Sequence, residues 1–345
     1  MNIKHLEKPL FKLIDDIFGG PTVLKGYDCI QSATHIKNMW DSFERPVAIG
    51  LDASRFDQHC SEEMLEWEHE VWRMMCTDKR KVDQLLKWQR DNRGVAYVDD
   101  GKIKYRVKGC RMSGDMNTSS GNCLIMCAMV WCYCRSLGIT KFRLANNGDD
   151  CTLIVEQSHK KTVLANLDSF FLNLGYTMKV EAPVYELERI NFCQTQPVFD
   201  GIGYRMVRDP RVAMAKDLCC LLDLSNSRTR ELWHDAMRHG GTSLTTGIPM
   251  WQNFYRMFPE GKIRETKEEI TLNRFRESGF YRMIPTIANK DYRAPTPEAR
   301  YSFWLAFGIN PDTQIILEDR FNNINLAKCA IVGQEDYVEL SVLVE

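Results

Sequence analysis

The spacing of apolar and polar positions changes several times along the chain, and each change predicts an element. Residues 1–45 read as short helices and turns, broken at Gly19-Gly20-Pro21. Val47, Ile49 and Leu51 alternate with small residues, the two-residue period of a strand, which ends at Asp52. From about Ser61 the period lengthens: Met64, Trp67, Val71 and Met75 share one helical face, with Glu62, Glu66 and Glu70 elsewhere on the surface. Residues 94–108 predict a hairpin turning at Asp100-Gly101. A polar, Gly-rich loop from Gly109 to Asp115 leads into a buried helix that runs through Cys134. Residues 141–156 carry the strongest hairpin pattern, two apolar runs around Asn147-Gly148. Ser158 predicts a helix cap, Val163, Leu167, Phe170 and Leu174 the face behind it, and Gly175 its end. A strand through Lys179 and a hairpin around Asp200-Gly201 follow. Beyond about residue 210 the pattern is mainly helical, with Thr296-Pro297 a start and Gly308 a stop. The expected fold class is α+β, with a helical C-terminal subdomain.

Composition narrows the class. A chain of 345 residues with 44% hydrophobic content can bury the core of one large domain or of two to three packed subdomains. The formal net charge of -1 says nothing about nucleic acid, but its distribution is uneven. Residues 201–300 hold 17 Lys/Arg against 12 Asp/Glu, and residues 301–345 hold 2 against 7. That balance suits a protein touching phosphates with one part only, and ordinary solvated surface accounts for it as well. Thirteen cysteines without a CxxC pair do not build a disulfide framework or a zinc site, and read as reduced, mostly buried thiols. Met1 to Phe18 lacks a signal-peptide core. The longest apolar run, the twelve residues Cys123 to Cys134, is too short to span a bilayer. Any membrane association is expected through a partner or through sequence outside this chain.

Two segments concentrate carboxylates. In Leu51-Asp52-Ala53-Ser54-Arg55-Phe56-Asp57 a straight strand would send Asp52 and Asp57 to opposite faces, so a shared site needs a turn between them. In Asn146-Asn147-Gly148-Asp149-Asp150 two adjacent acids occupy a tight hairpin, where they repel unless a cation neutralises them. A strand-end acid facing a hairpin-tip pair forms a hard-oxygen cradle of the kind that holds two Mg²⁺ or Mn²⁺ ions about 3.5–4 Å apart. A third segment, Arg111-Met112-Ser113-Gly114-Asp115-Met116-Asn117-Thr118-Ser119-Ser120-Gly121-Asn122, puts Thr118 and Asn122 on one helix face, with Ser113 on the preceding loop. Small hydroxyl and amide groups there suit hydrogen bonding to a ribose. A helix N-terminus rich in capping residues is the bland alternative.

These residues resemble a known family. LDASRFDQH, RMSGDMNTSSGNC and NNGDDC, in this order, look like motifs A, B and C of positive-strand RNA virus polymerases. PVAIGLDASRFDQHCS with EWEHE, FGGPTVLKGY upstream and NFCQTQPV downstream resemble the tombusvirus-like group, which includes the carmoviruses. The resemblance covers roughly residues 4–210 and, more loosely, the helical end. It implies a right-hand RNA-dependent RNA polymerase whose palm is an RRM-like antiparallel sheet with helices. Residues 1–45 would be partial fingers, 46–60 palm with motif A, 61–108 a fingers insertion, 109–208 palm with motifs B to E, and 209–345 the thumb and C-terminal helical region. It implies that Asp52 and Asp149 bind two Mg²⁺ or Mn²⁺ ions with Asp150 assisting. Asp57 and Asn122 would read the ribose, helped by Ser113 and Thr118, and Lys179 would protonate the departing pyrophosphate. Ile190 to Val198 would form motif E. Implied partners are an RNA template, nascent RNA, ribonucleoside triphosphates and a viral auxiliary replication protein, in membrane-associated complexes of the host cytoplasm.

One departure changes the expectation. The family's Arg/Lys-rich motif F precedes motif A, yet the 51 residues before Asp52 hold six Lys/Arg and six Asp/Glu with no basic cluster. The chain is therefore expected to be N-terminally truncated and weakly active or inactive alone. Three alternatives stay open: a non-catalytic RNA-binding fragment, a reverse transcriptase, and a metal-free globular domain with acids on surface turns. An aromatic residue commonly precedes the Asp pair of reverse transcriptases, where this chain has Gly148.

Overall fold

The alternation at 47–51 becomes the strand on which the site is built. The computed structural model describes residues 3–221, 223–260 and 291–326, which divide into two units. The first comprises residues 1–25 and 35–193, the second residues 26–34 and 194–345.

Helices α1 (Glu7–Phe18) and α2 (Cys29–Asp41) precede strand β1 (Pro46–Ala53). Gly19 ends α1 in the left-handed conformation at φ 76°, as the Gly-Gly break predicts. Val47, Ile49, Leu51 and Ala53 of β1 are buried, and Asp52 is exposed. The chain then turns through Arg55, at φ 51°, into the short helix α3 (Phe56–His59). This is the turn that the Asp52–Asp57 spacing requires.

Helix α4 (Glu62–Met75) opens at Ser61, whose hydroxyl accepts from the Met64 N–H. Its buried side is not the expected one: Leu65, Glu68, His69 and Trp72 are buried, while Trp67 is 43% exposed. The shift is by one residue, because a buried ion pair at Glu68 outweighs the apolar stripe. Helix α5 (Lys79–Lys87) leads to strands β2 (Asp91–Val98) and β3 (Gly101–Lys108). Val98 pairs with Gly101, so the loop is Asp99-Asp100, one residue earlier than predicted. Helix α6 (Thr118–Ser136) is apolar almost all round and largely buried, as such a helix must be.

Strands β4 (Arg143–Asn147) and β5 (Asp150–Glu156) form the predicted hairpin. The single helix expected after Ser158 is two, α7 (Lys160–Ala165) and α8 (Leu167–Asn173). Ser158 lies in a 3₁₀ turn, Gln157–His159, and no side chain caps α7. Asn166 leaves the helical region at φ -124°, ψ 7°, which rephases the apolar face onto Leu167 and Phe171 and leaves Leu174 exposed. Gly175 closes α8 at φ 87°, and β6 (Met178–Val180) follows. The sheet order is β4-β5-β1-β6, antiparallel throughout, with α6 among the elements that bury its apolar side.

The second unit has its own core. Hairpin β7 (Thr195–Phe199) and β8 (Tyr204–Arg208) precedes α9 (Pro210–Asp217), α10 (Ser227–Thr245), α11 (Trp251–Arg256), α12 (Pro297–Phe307) and α13 (Pro311–Asn322). Thr296 caps α12 and Gly308 ends it at φ 72°, both as predicted. Val198, Trp251, Phe254, Phe258 and Phe303 belong to one buried cluster. Interleaved helices and antiparallel strands followed by helices make the chain α+β.

Candidate active site

Pairing register, more than any single residue, assembles the acids. Asn147 lies opposite Asp150, Asp150 opposite Asp52, and Asp52 opposite Lys179. Directly opposed residues project to the same face of a sheet, so this row puts two carboxylates and an ammonium side by side. The Lys179 Nζ is 3.8 Å from Asp52 Oδ2, both exposed. Asp149 occupies the second position of the two-residue loop between β4 and β5, after Gly148 at φ 93°. A hairpin turn with positive φ at its first central residue calls for glycine there. Asn146, fully buried, clamps the loop: its Nδ2 donates to the Gly148 carbonyl at 2.7 Å and its Oδ1 accepts from the Gly148 N–H at 3.2 Å.

The electrostatics match this crowding. Desolvation, and after it the Asp52 and Asp57 carboxylates, raise the pKa of Asp149 above the ordinary range. Burial, followed by Asp149, Glu181 and Asp52, pushes Asp150 up to about 6, although the Cys193 N–H donates to its Oδ2 at 2.9 Å. Glu181 was not among the predicted residues. A side chain at Gly50 would overlap its carboxylate, so glycine in β1 makes the room that Glu181 occupies. Only its place two residues after Lys179 could have pointed to it.

Asp57 is held at both oxygens. Ser113 Oγ donates to its Oδ2 at 2.6 Å and Asn122 Nδ2 to its Oδ1 at 2.7 Å. The Thr118 hydroxyl donates instead to the Met112 carbonyl at 3.1 Å, tying the loop to the start of α6. Asp57, Thr118, Asn122 and Asp149 line an open groove of about 600 Å³, whereas Asp52, Asp150, Ser113 and Lys179 are not in its lining. Lys4, Lys25 and Arg55 also line it. These cations are scattered in sequence, which is why no linear basic cluster announced them. Behind Asn122 lies another pair missed in the sequence, the buried Glu68–Arg111 ion pair.

Asp52, Asp149, Asp150 and Glu181 bring carboxylate oxygens to the β1–β5 row, hard ligands suited to Mg²⁺ or Mn²⁺. Among the described residues, no group of three or more His, Cys, Asp or Glu already stands close enough to hold an ion. An Mg²⁺ site that relies on one or two carboxylates, completed by water and substrate phosphates, needs no such preformed cage.

The sequence matches the model of a family described as viral RNA dependent RNA polymerase over residues 1–328. The chain belongs to that family. This polymerase-family chain is 47% identical over 344 residues to the RNA-directed RNA polymerase of Tobacco necrosis virus (strain D), covering 99% of this chain and 47% of that protein. It is 47% identical over 323 residues to that of Tomato bushy stunt virus (strain Cherry), covering 92% and 38% respectively. For the RNA-directed RNA polymerase of Carnation mottle virus the identity is 41% over 326 residues, covering 94% and 42%. The chain thus spans less than half the length of these relatives, which bear out the tombusvirus-like resemblance.

Proposed function

We propose that this chain carries the catalytic centre of an RNA-dependent RNA polymerase, which adds ribonucleotides to a nascent RNA on an RNA template. The carrying observation is the row Asp150–Asp52–Lys179 with Asp149 in the adjoining turn. On this reading residues 46–60 and 109–208 are palm, 1–45 and 61–108 belong to the fingers, and 209–345 form the thumb and C-terminal helical region, in which 261–290 and 327–345 lie outside the described residues.

Asp52 and Asp149 hold two Mg²⁺ or Mn²⁺ ions, with Asp150 assisting. When bound, the ions supply activation of the attacking 3′-hydroxyl and neutralise the leaving phosphates. Lys179, at the far end of the row, hands a proton to the departing pyrophosphate. Asp57 and Asn122 read the ribose, Asp57 accepting from its 2′-hydroxyl; Ser113 helps to fix the Asp57 carboxylate, and Thr118 shapes the loop they share. Lys4, Lys25 and Arg55 offset the triphosphate charge at the groove. Among the described residues no helix is long and apolar enough to cross a membrane. Attachment to a membrane-associated complex in host cytoplasm runs, on this reading, through a partner such as a viral auxiliary replication protein or through sequence outside this chain.

The test is primer extension on an RNA template by a polymerase containing this chain. Ribonucleotides should be incorporated in the presence of Mg²⁺ or Mn²⁺, and Asp149→Asn should lower the rate by roughly a thousandfold. Unchanged synthesis by that variant would remove the hairpin from the chemistry. Preferential use of deoxyribonucleotides would favour a reverse transcriptase.

A further inference from the structure

Asn122 reads the sugar only if its amide faces the right way, and the amide is nearly symmetric in shape. Rotated by half a turn, it would offer Asp57 an oxygen instead of an NH₂. The Asp57 carboxylate can only accept and already calls for the NH₂ end, and a second contact locks that choice from the other side. Arg111 Nε donates to Asn122 Oδ1 at 2.9 Å, so the NH₂ end must point to Asp57, where it donates at 2.7 Å.

Arg111 is itself held from behind. Its side chain and that of Glu68 are completely shielded from solvent, and Arg111 Nη2 donates to Glu68 Oε2. The other Glu68 oxygen accepts from Trp72 Nε1 at 2.7 Å and from Asn117 Nδ2 at 2.8 Å. Burial works against the guanidinium charge, and the adjacent Glu68 more than offsets it, leaving the Arg111 pKa above its ordinary value. Space is reserved for the pair as well. A Cβ on Gly121 would overlap the Glu68 carboxylate and lie 2.7 Å from Arg111 Nη2.

A buried ion pair is a poor device for stability, since desolvation consumes most of what the two charges gain from each other. A well-packed apolar pair of similar volume would hold α4 against the loop before α6 at least as well. It could not orient an amide. A planar guanidinium can, because its nitrogens engage Glu68 and Asn122 in fixed mutual geometry.

We infer that Glu68 and Arg111 are positioning residues for sugar selection: α4, through Arg111, sets the Asn122 amide and with it the Asp57 carboxylate that distinguishes ribo- from 2′-deoxyribonucleotides. This rests on the ribose-reading role proposed above for Asp57 and Asn122. Neither Glu68 nor Arg111 touches the nucleotide; both act through Asn122.

The measurement is the ratio of kcat/KM for a ribonucleoside triphosphate to that for the 2′-deoxy triphosphate of the same base, in Mg²⁺ with an RNA primer–template, for a polymerase containing this chain. Arg111→Lys keeps a charge opposite Glu68, but a single ammonium cannot hold Glu68 and Asn122 in the same geometry. The ratio should fall roughly ten- to hundredfold, mainly through slower and weaker use of the ribonucleotide. Glu68→Gln keeps the shape and an acceptor for Trp72 while removing the charge, and should shift the ratio in the same direction. A role limited to folding predicts something else: loss of active enzyme lowers both kcat/KM values equally and leaves their ratio intact. A wild-type ratio in both variants, with Asn122→Ala losing discrimination, overturns the inference while the polymerase reading stands. Absence of template-directed synthesis by the unsubstituted protein would overturn that reading instead.

Discussion

Asp150 is where burial and charge crowding are concentrated in one side chain. Its folded pKa of about 6 lies above the ordinary 3.8, so the metal-free fold holds back its ionisation. For an acid raised in this way, the favourable contribution is complete below about pH 3.8 and is lost as pH rises through about 6. Asp150→Asn, neutral throughout, should therefore stabilise the metal-free chain by about 1–2 kcal/mol at pH 7.5 and leave it almost unchanged at pH 4. The comparison is a urea midpoint in EDTA at the two pH values. Equal shifts at both would mean that the carboxylate's environment costs nothing. Asp149 is shifted in the same direction, by desolvation first and then by Asp52 and Asp57, so the pair is poised to be relieved by a cation.

At the level of elements, α6 shows how a local preference is overruled. Alanine is ordinarily the better helix former than glycine by roughly 0.5–1 kcal/mol. At Gly121 the added methyl would meet the Glu68 carboxylate and the Arg111 guanidinium, both rigidly buried. Gly121→Ala should thus destabilise the chain by about 2–4 kcal/mol despite the gain in propensity, seen as a lower urea midpoint with unchanged slope. Stabilisation would show that the pair can move aside. The same pair marks the boundary of what the sequence could disclose. The β4–β5 hairpin, the helix starts at Ser61 and Thr296 and the stops at Gly175 and Gly308 were legible because each rests on local conformational preference. The buried face of α4 was not: an apolar stripe through Met64 and Trp67 lost to Glu68 and His69, polar residues whose burial depends on partners at Arg111 and Gln89, far along the chain. Lys4, Lys25 and Arg55 likewise meet only after folding. Asp52, Asp57 and Asp149 could be singled out because acids near strand ends and turns stand out locally, whereas Glu181 becomes notable only when Gly50 opens space for it.

Across the whole molecule, every residue given a chemical role falls within the first unit, while the second unit, with its own aromatic core, supplies none of them. A divalent cation that binds the folded acids and not the unfolded chain stabilises the segments carrying them, by about 2.7 kcal/mol when its concentration is a hundred times the dissociation constant. The stabilisation should be local, since opening reactions in a protein of this size are not uniform. Hydrogen exchange in Mn²⁺ against EDTA is expected to slow at residues 46–57 and 143–156, in β1 and the β4–β5 hairpin, with little change at residues 195–208 in the β7–β8 hairpin. Asp149→Asn should abolish most of that protection even where nucleotides are absent, which separates cation binding from turnover. Protection spread equally over both hairpins, or retained in Asp149→Asn, would place the cation elsewhere and detach the carboxylate row from its proposed chemistry.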